Sequence, residues 1–145
     1  MDNKFSSAIH TLILIAKSEK PLTSGAIAKS VGTNASYIRK IIGLLKKKDS
    51  VESHRGVCGF ALTQRPEDLT LLRIYQAVNE TDRPCLFDLH QNPNDECIVG
   101  RHIKPVLSDM FAEMEAGFAA VLADKTLADC ISGIRERLDD HAQRK

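Results

Sequence analysis

Apolar positions recur along this chain with a helical period, broken once by a short stretch of strand-like alternation. Ala8, Ile9, Leu12, Ile13, Ile15 and Ala16 make a broad apolar face and predict a first helix from Phe5 to Lys17, closed by Pro21. Thr23 or Ser24 then offers a hydroxyl to cap a second helix, whose apolar face is Ala26, Ile27, Ala28 and Val31. Gly32 stands where the chain must turn, because glycine adopts a positive φ without steric cost. Asn34 caps a third helix with a stripe of Tyr37, Ile38, Ile41, Ile42, Leu44 and Leu45. Val51–Ser53 and Phe60–Thr63 read as two short strands, joined by six residues that include Gly56 and Gly59. After Pro66, Thr70 caps a core helix carrying Leu71, Leu72, Ile74, Tyr75, Ala77 and Val78.

Residues 80–97 are the least periodic stretch and predict a long loop, with Leu86, Phe87 and Leu89 docking a short turn; long loops in compact domains are often functional. A long helix follows from Ile98 to Ala123, with Pro105 either close to its start or at a kink. Ile103, Leu107, Met110, Met114, Phe118 and Val121 recur along it at intervals of three and four, and Val106, Phe111 and Leu122 widen the stripe. So wide a face exceeds what a small domain needs for its own core, which predicts packing against a symmetry mate. Thr126 and Asp129 resemble a capping box for a last helix, Leu127 to Leu138, with the tail from His141 to Lys145 frayed.

The polar positions change this picture from a helical bundle to a reading head. The outer face of the third helix carries Ser36, Arg39, Lys40, Lys46, Lys47 and Lys48. A helix, a tight turn and a second basic helix make a helix-turn-helix, whose second helix enters the DNA major groove. The hairpin behind it is then a wing, with His54 and Arg55 placed to reach a phosphate or the minor groove. The expected fold is mainly α with a small β-hairpin wing. A winged helix-turn-helix occupies residues 1–80, a sensor-type loop 81–97, and a dimerisation helix with a C-terminal helix 98–145. Candidate DNA contacts are Ser24, Asn34, Ser36, Tyr37, Arg39, Lys40, Lys46, Lys47, His54 and Arg55. Arg39, near the helix start, is placed to read a guanine, while Lys46–Lys48 and Arg55 hold phosphates.

Charge supports the same reading. The net charge of +1 conceals 11 Lys/Arg against 4 Asp/Glu in residues 1–65, and 9 against 15 in residues 66–145. A basic first half and an acidic remainder suit a chain that turns one face to nucleic acid. A length of 145 residues with 43% apolar content suits one domain with an appended helical element. The apolar opening segment reads as the first helix of the fold, since no small-residue cleavage site follows it. Without a secretory signal, Cys58, Cys85, Cys97 and Cys130 imply a cytoplasmic protein and no structural disulfide framework. Cys130, beside Ile131 on an apolar helix face, reads as core, and His10 as an ordinary side chain.

Several of these residues together resemble a known family. SYIRKIIGLLKKKDSVES, the wing of RGxxGF type, the DLTLLRIYQAV helix, a cysteine-bearing loop, a long helix and TLADCI are similar to the Rrf2 family of bacterial winged-helix transcription regulators, along nearly the whole chain. The resemblance implies a homodimer with two winged helices and crossed long helices; such a dimer is expected to read a pseudo-palindromic operator, and a repressor is the leading reading. Cluster-binding relatives carry three cysteines in this loop, each pair separated by five residues. Here Cys85 and Cys97 take the outer positions and Gln91 the middle one, as in the subgroup lacking the full triad. That spacing puts a family-type iron–sulfur cluster in question.

Three readings of the loop stand open at this point. Cys85 and Cys97 are redox-active thiols whose oxidation alters DNA affinity, with Cys58 in the wing a further thiol close to DNA. Or Cys85, His90, Cys97 and His102 ligate zinc or a cluster, although Cys-x4-His-x6-Cys-x4-His is no standard finger spacing. Or they are plain loop and core residues. Two other functional classes compete with a DNA-binding regulator: a thiol-based redox enzyme, and a winged-helix module that binds protein. The first lacks a CxxC motif or a catalytic constellation, and the basic third helix argues against the second.

Overall fold

The computed structural model describes residues 3–54 and 59–143. Six helices and one hairpin follow in the order α1 (Lys4–Lys17), α2 (Ser24–Val31), α3 (Ala35–Lys47), β1 (Val51–Ser53), β2 (Phe60–Leu62), α4 (Leu71–Asn79), α5 (Ile98–Asp124) and α6 (Leu127–Gln143). The fold is the winged helix read from the sequence, mainly helical with a small hairpin.

Local chemistry sets the helix starts. Thr23 Oγ1 accepts from the Ala26 N–H at 3.1 Å, Asn34 Oδ1 from Tyr37 at 2.9 Å, and Thr70 Oγ1 from Arg73 at 3.2 Å. Each such cap satisfies an otherwise orphaned donor and contributes about 1 kcal/mol. Gly32, at φ 87°, closes α2 and releases the chain into α3. Ile38, Ile41, Ile42 and Leu45 of α3 are buried with Leu12 of α1, Ile27 of α2 and Ile74 of α4, so one core serves the first four helices.

The hairpin is antiparallel, with Val51 opposite Leu62 and Ser53 opposite Phe60. Its second strand ends one residue earlier than the sequence pattern suggests. Thr63 instead bonds back to the α3–β1 turn, donating its N–H to the Ser50 carbonyl at 3.2 Å and its hydroxyl to the Asp49 carbonyl. Gly59 has φ 124°, and a Cβ there would lie 2.4 Å from that of Pro21. Only glycine fits both the backbone angle and the close approach of the wing base to the α1–α2 linker.

The far end of the chain is stitched to the middle. Leu71 donates its N–H to the Lys125 carbonyl and Leu127 to that of Leu69, both at 2.9 Å, forming a bridge between Thr70 and Thr126. Leu69 and Leu127 are fully buried beside it. Thr126 and Asp129 form the reciprocal capping box: the Thr126 N–H donates to Asp129 Oδ2 at 2.9 Å, and the Asp129 N–H to Thr126 Oγ1 at 3.3 Å. Helix α6 then continues past the expected Leu138, so His141 lies in a helix that runs to Gln143 and not in a frayed tail. Cys130 is half-buried, a correction to its reading as a core residue, because α6 leans on α1 along one side only.

Helix α5 is the exception to this economy. Of its 27 residues only Leu122 is buried. Pro105 lies inside it and has no N–H to offer the carbonyl of Arg101, yet the helix runs through. Its apolar stripe divides into two faces. Phe118 turns inward and meets Tyr75 edge-to-face at 5.9 Å, and Tyr75 meets Phe5 of α1 at 5.5 Å. Met110, Met114 and Val121 turn outward, 53%, 46% and 54% exposed, and Ile103 and Leu107 lie between, half-buried.

Candidate nucleic-acid interface

The outward part of α3 begins with a cooperating pair. Arg39 Nη2 donates to Ser36 Oγ at 3.1 Å, and both side chains are exposed on the first turns beside Lys40. Tyr37 and Asn34 serve that surface from behind. Asn34 spends its carbonyl on the helix cap, and half-buried Tyr37 donates its hydroxyl to Asn3 Oδ1 at 3.3 Å. Ser24 is half-buried at the first position of α2. His10 bonds Ser30 Oγ through Nε2 at 3.0 Å, tying α1 to α2.

The lysines at the other end of α3 are already engaged. Lys46 Nζ donates to Ser53 Oγ at 2.5 Å and lies 5.4 Å from the centre of the Phe60 ring, so it braces the wing base. Lys47 pairs with Glu80 and Lys48 with Asp82, each at 3.9 Å. Exposed pairs of this length are worth less than about 1 kcal/mol, so a phosphate can displace either carboxylate. Glu80 and Asp82 are neighbours of this candidate surface that sequence reasoning missed. The exposed His54 donates its backbone N–H to the Gly59 carbonyl at 3.1 Å, at the neck of the hairpin. Arg55 and Cys58, both singled out in the sequence, lie outside the described residues.

Behind α3, the loop from 80 to 97 is ordered by its own polar groups. Glu80 takes a left-handed φ of 51° to end α4, and Gln76 Nε2 donates to the Asp82 carbonyl at 2.9 Å. Leu86 donates its N–H to Glu115 Oε2 of α5 at 2.5 Å, and the Phe87 ring lies 5.0 Å from that of Phe111. Gln91, at the middle position of the cysteine spacing, bonds the Leu89 carbonyl and accepts from Lys104 Nζ at 3.4 Å. Asn94 presses on the first turn of α5 at Gly100, where a Cβ would fall 2.0 Å from the Asn94 carbonyl oxygen.

This approach places Cys97 at the N-cap of α5, exposed to solvent. The N–H groups of Gly100 and then Val99 draw its thiol pKa below the ordinary value, by stabilising the thiolate. The Cys130 thiol is pushed the other way, first by burial and then by the charge of Asp129. Cys85 is exposed as well, and Cys85, Cys97 and Cys130 are all free thiols. Among the described residues no three His, Cys, Asp or Glu side chains converge on a point that could hold a metal ion. The structure therefore does not bring Cys85, His90, Cys97 and His102 together as a ligand set. An iron–sulfur cluster does not fit the donors present, because Gln91 is bonded elsewhere in place of a third thiolate.

Comparison with known proteins gives a consistent result. Residues 1–133 match the family described as "Rrf2: Iron-dependent Transcriptional regulator". The Bacillus subtilis (strain 168) protein named "Putative HTH-type transcriptional regulator YwnA" is 39% identical over 132 residues, which is 91% of this chain and 97% of that protein. The solved structure described as "Crystal structure of a putative DNA binding protein" is 37% identical and superposes with a TM-score of 0.73 over 88% of this chain and 98% of its own. T. potens IscR, at 21% identity, shares the fold with a TM-score of 0.69 over 94% of this chain and 89% of its own.

Proposed function

This chain belongs to the Rrf2 family of transcriptional regulators, and from that premise we propose that it is a sequence-specific DNA-binding repressor acting as a homodimer. Membership makes it a regulator and not an enzyme. The observation that carries the DNA reading is the exposed Ser36–Arg39–Lys40 surface at the start of α3, beside a hairpin and above a fully packed core. Side chains there reach base edges when such a helix enters the major groove. Ser24 and His54 flank this surface on α2 and on the wing, where they meet the sugar-phosphate backbone. Residues 1–80 read DNA, 81–97 receive the signal, and 98–145 hold the dimer through the outward face of α5. Two such heads bind half-sites on the order of one helical turn apart, or a multiple of it. Such a regulator works in the cytoplasm, where its operator is.

A signal through thiol oxidation is favoured over a metal by one feature. Cys97 is exposed, lies at a helix N-terminus and is biased toward thiolate, while the donors of a metal set are not assembled. Oxidation there acts on the first turn of the dimer helix, and so on the spacing of the two recognition helices.

The test is fluorescence anisotropy on DNA from upstream of the protein's own gene, with every base pair of the bound site varied in turn. Arg39→Ala is expected to lose about 1–3 kcal/mol at the base pair that Arg39 reads, and little elsewhere. An equal loss on every sequence would remove its base-reading role. No binding to any upstream fragment, whether reduced or oxidised, would remove the repressor reading itself.

A further inference from the structure

A cleft of about 600 Å³ lies between Leu72 at the start of α4, residues 81–85 and the middle of α5. Its floor is apolar: Leu72 and the buried Pro84 on one side, and Ala112, Ala116 and Ala119 of α5 on the other. The three alanines share one helix face by their spacing of four and three. Each is two residues from an outward apolar side chain, Ala112 from Met110, Ala116 from Met114 and Ala119 from Val121. Two residues correspond to about 200° around a helix. The cleft therefore faces away from the proposed dimer surface and stays open when that surface is covered.

The charges at the rim are not equivalent. Glu115 is engaged by the Leu86 N–H, and Asp82 by Lys48. The Arg83 guanidinium has no hydrogen bond or ion pair among the described residues, although its backbone is fixed: its N–H donates to Thr81 Oγ1 at 3.3 Å, and that hydroxyl donates to the Arg83 carbonyl at 2.8 Å. One uncommitted cation thus stands on a held turn beside an apolar hollow of small-molecule size. We infer that this cleft binds a small organic carboxylate, its apolar body against the alanine face and its carboxylate on Arg83. A guanidinium takes a carboxylate through two parallel N–H bonds, which gives orientation as well as affinity.

Occupancy is also placed to reach α3. The neighbouring residue Asp82 pairs with Lys48 at the end of that helix, and its carbonyl is held by Gln76. A ligand that draws on Arg83 moves the same turn, and with it the ion pair at the end of the recognition helix. This coupling rests on the DNA-binding reading above; the binding step does not.

The experiment is calorimetric titration of the full-length chain with hexanoate and benzoate, beside hexanamide, benzamide and hexylamine. The carboxylates are expected to bind once per chain, at least tenfold tighter than the amides or the amine. Arg83→Met should reduce them to the level of the amides, and Ala116→Leu should abolish binding of both by filling the cleft. Should Ala116→Leu fail to fold by circular dichroism, peptide mass spectrometry on the wild type replaces it. Bound hexanoate should slow iodoacetamide modification of Cys85, which lines the cleft, and leave that of Cys97 unchanged. Binding of neither carboxylate, equal binding of hexylamine, or unchanged affinity in Arg83→Met each overturns the site. A chain that binds hexanoate through Arg83 but no DNA overturns the DNA-binding repressor reading and leaves this site standing. A chain that binds DNA but neither carboxylate does the reverse.

Discussion

Helices α3 and α5 are both rich in apolar side chains, and they dispose of them in opposite ways. Within 13 residues, α3 buries Ile38, Ile41, Ile42 and Leu45 and turns cations to solvent. Helix α5, at 27 residues, buries one and presents Val106, Met110, Met114 and Val121. The first helix is complete within its own chain, so what it exposes is free to be chosen for recognition. The second leaves much of its apolar face uncovered within the chain, which supports the proposed dimer interface there. On the proposed function, two surfaces of the same molecule thus take partners of opposite chemistry, one anionic and one apolar.

The largest expected effect breaks one side of this contrast and spares the other. Replacing Met110 and Met114 together by Glu should convert dimer to monomer in sedimentation velocity at micromolar concentration, since an unpaired carboxylate is not buried without heavy cost. The same variant should keep its helical circular dichroism. A double variant that stayed dimeric would move the interface elsewhere. On α3 the converse holds: Ile41→Ala should cost about 2–5 kcal/mol in urea unfolding. Val106→Ala, made in the monomeric background, should stay within about 0.5 kcal/mol.

The cysteines sharpen the contrast by pH. For Cys97 the folded thiol pKa is lowered, so the folded chain favours the thiolate. Its contribution to stability is present above the unfolded thiol pKa and lost as pH falls through the folded value. For Cys130 the pKa is raised, and the sign reverses: its contribution is present below the unfolded value and lost as pH rises through the folded one. Iodoacetamide labelling followed by peptide should therefore show Cys97 half-reacted at a lower pH than Cys130, and below the pH for the same thiol in urea. Coincident profiles would mean that the α5 N-terminus does not act on Cys97.

The smallest effect concerns Lys47. Glu80→Gln frees this cation from a surface pair worth less than about 1 kcal/mol, so DNA affinity should rise by less than about fivefold. The gain should shrink as salt is raised, because both the pair and the phosphate contact are screened. A gain that persisted unchanged in high salt would show that Glu80 acts on the fold of the loop and not on the charge of α3.

What was legible in the sequence was local. Asn34, Thr70 and the Thr126–Asp129 pair cap as read, and of the two hydroxyls open at the start of α2 Thr23 is the cap, because a cap is decided within three residues. The winged helix was legible too, since its order of elements needs no long-range information. The α5 stripe was not fully legible. A run of steps of three and four drifts around a helix, and only the packed structure shows that Phe118 has crossed to Tyr75 while Met114 has not. The Lys47–Glu80 and Lys48–Asp82 pairs were invisible for another reason, because they join residues more than thirty positions apart through the packing of α4 on α3. Metal ligation by Cys85, His90, Cys97 and His102 is one of three readings that composition leaves open, and ligation needs a convergence that is absent among the described residues.

The bridge between Thr70 and Thr126 has a mechanical consequence. It clamps the C-terminal end of α5 to the start of α4, two backbone bonds deep and beside fully buried Leu69 and Leu127. Helix α5 is about 40 Å long at 1.5 Å per residue, so its other end at Ile98 is the tip of a long arm from this clamp, steadied on the way by Phe118 against Tyr75 and by Glu115 on the Leu86 N–H. At that length each degree of tilt displaces the tip by about 0.7 Å. On the thiol-signal proposal, a chemical event at Cys97 would push at the long end, and the clamp would pass the torque to α4, which also packs against α3.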